Sequence, residues 1–365
     1  MRRVVISVLL VVAALFAAPA FTQDAPGTGI ALSLAQWLEP WEGEAGGGWM
    51  YAPAGQAVKS PRPIVDRSAA VAPGVYDIYW NQNADLAPLL IAEDVAVSEG
   101  EVTNVRVATG LTFEAADWVE PRDAENGWLG AILPTSTSFD FVNMTRTGSS
   151  MFLPPGRYDL FYMQDETDDI PAIWLGTFDI EAPFGGLGFE VGADADGNIG
   201  VVRTLPGGPA EAAGVEAGDV LIAVDGIELT GLALEDAVAL LRGDAGTDVV
   251  LTVSRGKGRA LDLVVTRNLV EPAPIVRATS GVRLSLPAGV TIQPDGWWGV
   301  AFEGEGAGAL INWSNGTATA PLLVGPAIYD VYWNPDGDGE AELVATGVAI
   351  AGELVEVTPA TVNAK

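Results

Sequence analysis

Pro73-Gly74-Val75-Tyr76-Asp77-Ile78-Tyr79-Trp80 reads as a β-strand: a Pro-Gly turn delivers the chain into an aromatic and β-branched run, and polar Asn81-Gln82-Asn83 releases it. The pattern returns in Pro155-Gly156-Arg157-Tyr158-Asp159-Leu160-Phe161-Tyr162. It returns again in Pro326-Ala327-Ile328-Tyr329-Asp330-Val331-Tyr332-Trp333, where Ala replaces the Gly. One element recurring at long period marks repeated domains. Trp49, Trp128 and Trp298 precede the three Tyr residues by 27, 30 and 31 positions. An aromatic returning at one repeat position points to core ahead of a sugar-stacking platform. Repeats one and three rejoin in Ala92-Glu93-Asp94-Val95-Ala96-Val97 and Ala345-Thr346-Gly347-Val348-Ala349-Ile350, then reach Gly100-Glu101 and Gly352-Glu353. Repeat two is shorter and lacks that ending. Asp77, Asp159 and Asp330 recur inside the strand, with a capping or hydrogen-bonding role left open.

Spacing locates an insertion. Tyr76 and Tyr158 are 82 residues apart, Tyr158 and Tyr329 are 171 apart, and the excess of 89 is one small domain. The expected organisation is a leader over 1–20, β repeats over 27–109, 110–182 and 278–365, and a different module over 183–271. Each repeat holds short strand-like segments such as 102–107 and 343–350, with no long amphipathic helix. The fold class expected is therefore mainly β: three small antiparallel β-sandwich-like repeats and one α+β module. The Pro-Gly-x-Tyr-Asp-x-Tyr stretch resembles a strand of carboxypeptidase-regulatory-like and other Ig-like accessory domains.

Composition narrows the chemistry. The 365 residues carry 18 Lys+Arg against 48 Asp+Glu, a formal charge of −30, which repels phosphate backbones and argues against a nucleic-acid partner. His and Cys are both 0. That removes His general bases, Ser-His-Asp and Cys-His nucleophiles, haem and Fe–S ligation, and His/Cys zinc sites. Arg2-Arg3, the apolar stretch from Val4 to Phe16 and Ala18-Pro19-Ala20 together read as a cleavable signal peptide. The apolar run falls short of the ~20 residues that span a bilayer. A secreted or periplasmic protein without a stable membrane anchor is expected.

The inserted stretch carries Gly186-Leu187-Gly188-Phe189, then Gly208-Pro209-Ala210-Glu211-Ala212-Ala213-Gly214, a short helix with Pro near its start and Gly beyond its end. Ala217-Gly218-Asp219-Val220-Leu221-Ile222-Ala223-Val224-Asp225-Gly226 follows. In the next segment Leu234, Val238 and Leu241 share one helical face, and Arg242-Gly243-Asp244-Ala245-Gly246-Thr247 ends it. In this order the motifs resemble a PDZ domain, in particular that of bacterial C-terminal processing (S41-type) peptidases. The resemblance implies that N–H groups of Leu187, Gly188 and Phe189 in the Gly186–Phe189 loop receive a peptide carboxylate. A ligand strand would then add beside Phe189-Glu190-Val191. Phe189, Val191, Val238 and Leu241 would line the pocket for the last side chain, with core packing an equal alternative for Leu241. Leu234 matches the helix position that many PDZ domains fill with His, and favours an apolar ligand side chain there.

Those peptidases place a Ser-Lys catalytic domain after the PDZ. Here the lysines are Lys59, Lys257 and Lys365, and most of the residues after Arg267 form the third repeat. No enzyme and no cofactor are expected. Asp194-Ala195-Asp196-Gly197-Asn198 and Asp336-Gly337-Asp338-Gly339-Glu340 offer the clustered oxygens that Ca²⁺ takes, but Asp-Gly hairpin turns need no metal. Asp165-Glu166-Thr167-Asp168-Asp169 reads as a solvated turn. The functional expectation is an exported adaptor capturing C-termini or extended apolar segments of other exported proteins. Alternatives are an accessory subunit of an envelope protease and a carbohydrate-binding or structural surface protein.

Overall fold

The computed structural model describes residues 27–38, 48–55, 61–81, 86–119, 127–136, 141–163, 172–194, 197–256, 259–315 and 320–358. Residues 1–20, read above as an expected leader, the three lysines, the acidic stretch 165–169, and Ala195 and Asp196 lie outside them. The described chain separates into the unit Glu181–Pro272 and a second unit formed by the residues on either side of it.

Repeat one has seven strands: β1 (Gly29–Leu34), β2 (Gly48–Pro53), β3 (Arg62–Pro63), β4 (Ser68–Ala70), β5 (Gly74–Asn81), β6 (Leu89–Val97) and β7 (Val102–Val107). They make two sheets, β4-β1-β7 and β3-β2-β5-β6. The sheets enclose one core containing Ile30, Leu32, Trp49, Ile78 and Trp80. The β-rich expectation holds, with one refinement: β1 and β7 pair parallel, from Gly29↔Val102 to Leu34↔Val107. Successive strands alternate in direction, so the first and seventh run the same way when they lie side by side.

Repeat two opens with β8 (Gly110–Ala115), β9 (Trp128–Ile132), β10 (Asn143–Arg146), β11 (Ser150–Phe152), β12 (Gly156–Met163) and β13 (Ile173–Ile180). The inserted unit follows as β14 (Phe184–Gly186), β15 (Phe189–Ala193), β16 (Ile199–Thr204), α1 (Pro209–Ala212), β17 (Val220–Val224), β18 (Ile227–Glu228), α2 (Leu234–Leu241), β19 (Asp248–Arg255), β20 (Arg259–Thr266) and β21 (Asn268–Val270). Then β22 (Ile275–Ala278) lies parallel to β8, in register from Ile275↔Thr112 to Ala278↔Ala115. It completes the sheet β11-β8-β22 opposite β10-β9-β12-β13. Repeat two therefore does have a closing strand, although residues 110–182 do not contain it. That strand is supplied from beyond the insertion, and it buries Val276 and Ala278 in the repeat-two core.

Repeat three repeats the plan with β23 (Gly281–Leu284), β24 (Trp297–Phe302), β25 (Leu310–Asn315), β26 (Leu322–Leu323), β27 (Ile328–Asn334), β28 (Glu342–Ala349) and β29 (Leu354–Val357), in sheets β26-β23-β29 and β25-β24-β27-β28. Cross-strand register corrects the Trp alignment. Trp49 faces Trp80 and Trp298 faces Trp333, but the residue facing Tyr162 is Leu129. Trp128 is one position out of phase, and one step along a strand changes face. Leu129 is buried, whereas Trp128 is half-exposed with the Arg146 guanidinium 4.6 Å from its ring.

The recurring Tyr-Asp pair explains the shared strand. Tyr76, Tyr158 and Tyr329 each donate a hydroxyl hydrogen bond to the carbonyl four residues upstream, at 2.9, 3.0 and 2.8 Å. Each bond ties the entering turn to the strand, the logic of a tyrosine corner. Burial pushes the Tyr329 phenol up to about 12, so it remains a donor. Asp77 accepts N–H bonds from Gly55 (3.1 Å) and Asp94 (3.0 Å), and Asp330 accepts them from Gly304 (2.9 Å) and Gly347 (3.2 Å). Asp94 and Gly347 both have positive φ, where the neighbouring strand bulges. The buried carboxylate thus satisfies N–H groups that the irregular ladder releases. Asp159 instead receives the Thr177 hydroxyl.

Neighbouring repeats share cores. Phe152 of β11 points away from its own repeat into the core of repeat one, its ring centroid 5.0 Å from Trp49 and 5.1 Å from Trp80. Leu323 of β26 does the same for repeat two. Asn143 and Asn312 support these two residues alike, each donating to the carbonyl of Phe152 or Leu323 at 2.8 Å. In repeat three, Ile292 from its own β23–β24 loop joins the core around Trp298 and Trp333.

Candidate functional site

Within the unit Glu181–Pro272, the main sheet runs β15-β16-β17-β19-β20, with β18 alongside β17. β15 is therefore an edge strand with α2 packed beside it. The entry strand β14 and exit strand β21 pair with each other, from Phe184↔Val270 to Gly186↔Asn268. Gly185 and Gly243 also exchange backbone hydrogen bonds, at 2.6 and 3.2 Å, which locks the stem to the end of α2.

The glycine loop issues directly from this stem. Leu187 and Gly188 turn their carbonyls inward, accepting from Ala210 N–H and Leu205 N–H at 2.9 Å each. Among the described residues, the N–H groups of Leu187 and Gly188 meet no backbone acceptor. Gly188 has φ +76°, and a Cβ there would stand 2.9 Å from the Pro209 ring. Both features demand glycine. The Leu205–Gly188 bond makes Phe189 and Thr204 a non-hydrogen-bonded pair, so the N–H and C=O of Phe189 face the open edge.

Helix α2 carries Glu235 and Asp236 in its first turn, where the helix dipole favours anions. It ends under Arg267, which donates to the carbonyls of Leu241 (2.9 Å) and Leu240 (3.3 Å). Its inner face buries Ala237 and Leu241, and Leu187 joins the same core. Phe189, Val191 and Leu234 are half-buried against that core, and Val238 is half-buried one turn after Leu234. The expected groove residues thus come together around β15 and α2. Leu241, 7% exposed, packs the core.

Three features were not legible in the sequence. Arg242, at the end of α2, lies over the Phe184 ring at 4.0 Å and pairs with Glu181 at 3.0 Å. This places a guanidinium beside Ala182-Pro183-Phe184-Gly185, which carry no charge of their own. Arg203 of β16 grips Glu190 of β15 across the ladder, Nε to Oε2 at 2.6 Å, and its hydrogen bonds hold the Glu190 carboxyl below the ordinary range. Asp219 is 1% exposed and bound by Arg255 through Nε and Nη2, both at 2.7 Å, which likewise holds its carboxyl low. The partners in these pairs lie 13 to 61 residues apart, so no local pattern announces them.

The acidic turns have internal partners. Asp194 accepts from Asn198 N–H at 2.8 Å in the β15–β16 turn, and Asn334 accepts from Gly337 N–H at 2.9 Å in the β27–β28 turn. Asp225 and Gly226 both have positive φ, the type I′ geometry of a two-residue hairpin between β17 and β18.

Comparison with known proteins agrees with this geometry. Residues 200–255 match the family model described as PDZ domain. The chain is 39% identical over 92 residues to a carboxyl-terminal-processing protease of Picosynechococcus, covering 25% of this chain and 22% of the protease. It is 38% identical over 91 residues to a carboxy-terminal processing protease of Bacillus subtilis, covering 25% of this chain and 19% of that protein. The chain spans about a fifth of the length of these relatives. A solved PDZ domain of a Vibrio cholerae carboxy-terminal protease, in complex with peptide, is matched at 26% identity over 24% of this chain and 98% of that one, with a TM-score of 0.23. The inserted unit is a PDZ domain similar to those of C-terminal processing proteases.

Proposed function

We propose that this chain is an exported peptide-binding protein, itself not an enzyme, whose PDZ groove captures C-terminal or extended apolar segments of other exported proteins. The observation that carries the reading is the juxtaposition of an open strand edge at β15 with a glycine loop in which the Leu187 and Gly188 N–H groups meet no backbone acceptor among the described residues. A peptide strand adding to β15 satisfies the edge, and its terminal carboxylate satisfies the loop. Phe189, Val191, Leu234 and Val238 offer half-buried apolar surface for alternate ligand side chains, with Leu187 and Leu241 forming the floor.

A free-acid peptide with an apolar last residue is expected to bind roughly ten- to a hundredfold more tightly than its C-terminal amide. The amide loses the charge-assisted bonds, about 1.5–3 kcal/mol, and presents donors to donors. Gly188→Val should cause a comparable loss, because valine is strained at positive φ and meets Pro209. Fluorescence anisotropy on the full chain measures both. Equal affinity for acid and amide would mean that internal segments, not C-termini, are read.

A second reading, an accessory subunit of an envelope protease, is favoured by the 39% identity to a processing protease over the PDZ segment. Recovery of a Ser-Lys protease in pull-downs would distinguish it. Export is part of the proposal and rests on the basic, apolar and small-residue segments of residues 2–20. The mature N-terminus is expected at Phe21. N-terminal sequencing that finds Met1-Arg2-Arg3 intact on exported protein would contradict it.

A further inference from the structure

The edge strand β15 has two faces, and the apolar groove uses only one. Phe189 and Val191 pack toward the core and α2. Glu190 lies between them and therefore points to the opposite, solvent-facing side of the sheet. Its side chain is 43% exposed, and its carboxylate is held by Arg203, the residue directly across the ladder on β16. The other flank of Glu190 is the open edge.

Register decides which ligand residue would stand there. The ladder shifts register between Glu190 and Val191, with the extra residue, Val202, on β16, so β15 keeps its period: with the Phe189 N–H and C=O facing outward, those of Glu190 turn toward β16 and those of Val191 outward again. The last ligand residue, its carboxylate at the loop, bonds to Phe189. The third from last pairs with Val191. The penultimate residue then lies opposite Glu190 in a non-hydrogen-bonded pair, where Cα atoms approach to about 4.5 Å and side chains are closest.

We infer that Glu190, oriented by Arg203, selects peptides whose penultimate residue is Lys or Arg; this rests on the groove reading above. A carboxylate has about four acceptor positions. Arg203 occupies those on one side through Nε and Nη2. The remainder are not taken by Arg203 and are left for a cation on the neighbouring strand. A penultimate cation completes a row of alternating charge across three strands, whereas a penultimate Asp or Glu faces a like charge at the closest cross-strand distance. Acidic residues outnumber basic ones across Glu181–Pro272, which adds a favourable field for a cationic ligand. Arg203 also fixes the Glu190 rotamer, so the selecting group is held in place before the ligand arrives.

The test uses the full chain and three free-acid peptides that differ only in a penultimate Lys, Ala or Glu before a common apolar last residue. Affinity is expected to fall in that order, with a Lys-to-Glu ratio of about three- to tenfold at low salt. The ratio should shrink as salt screens the exposed pair. Glu190→Gln should bring it close to one, and Arg203→Ala should reduce it by loosening the carboxylate. A ratio near one in the unaltered protein, or one insensitive to both salt and Glu190→Gln, would overturn the inference while leaving the groove intact. Failure of all three peptides to bind would overturn the groove reading and this inference together.

Discussion

Replacing Phe152 by Ala is expected to destabilise the sandwich unit by about 3–5 kcal/mol, the range for a fully buried aromatic truncated in place. The side chain is wholly buried between Trp49 and Trp80, in a core belonging to the repeat before its own. Neither tryptophan can follow the vacated ring. Trp49 is held on β2 and Trp80 on β5, in direct cross-strand register. The cavity therefore persists, and repeat one feels a substitution made in repeat two. Guanidinium unfolding followed by tryptophan emission reads the effect directly, because the two reporters touch the deleted ring. Phe152→Leu, which keeps most of the volume, should cost well under half as much. A loss below about 1 kcal/mol for Phe152→Ala would mean that the repeats do not depend on each other's cores.

Excising residues 183–271 should leave a folded, β-rich protein that binds no peptide, whereas excising 183–278 should not. The shorter excision removes the PDZ and leaves five residues between β13 and β22. The equivalent connections, β6 to β7 and β28 to β29, have four. The engineered link is thus one residue longer than the connections the other two repeats use, and β22 can still lie along β8. The longer excision removes β22 itself. That strips Val276 and Ala278 from the repeat-two core and exposes the ladder edge of β8, and each apolar side chain the size of Val lost from a core costs about 1.5–3 kcal/mol. Thermal unfolding of the two deletion proteins by circular dichroism tests the contrast. Unfolding of the shorter deletion would show that the PDZ is needed to hold repeat two together. Equal stability of both would show that β22 contributes nothing.

The insertion point has a physical logic. β14 and β21 pair side by side, so the module enters and leaves at one place. A folded domain whose ends meet costs the host little more closure entropy than a short loop. The surface connection between the sixth and seventh strands is where such an insertion is tolerated.

Much of this was legible in the residues. The Pro-Gly-x-Tyr-Asp strand, its threefold return and the unequal spacing of Tyr76, Tyr158 and Tyr329 announced three β repeats and one inserted module. Strand period and turn chemistry are local properties, readable within ten residues. The PDZ loop was legible for the same reason: Gly188 and Pro209 each carry their backbone requirement in their own covalent structure. Trp128 was misaligned because a spacing count tolerates a slip of one residue, whereas a sheet does not. Only cross-strand register shows that Leu129 takes the buried place.

Other features were decided by tertiary structure alone. Membership of β22 in repeat two depends on a pairing between residues more than 160 positions apart, and a four-residue strand has no local signal strong enough to assign it. The insertion of Phe152 and Leu323 into a neighbouring core follows from which face of a three-stranded sheet meets the adjacent repeat. The charges flanking the groove came from the same source. Arg203 reaches Glu190, and Arg242 reaches Glu181 and Phe184, because folding brings separate segments within bonding distance. The sequence by itself determined the recurring Tyr-Asp strand, the repeat count and the glycine loop, since these rest on backbone preferences of neighbouring residues. The tertiary structure alone determined which strand completes which sheet, which side chain fills which core and which charge stands beside the open edge, since these rest on contacts that exist only once distant segments have met.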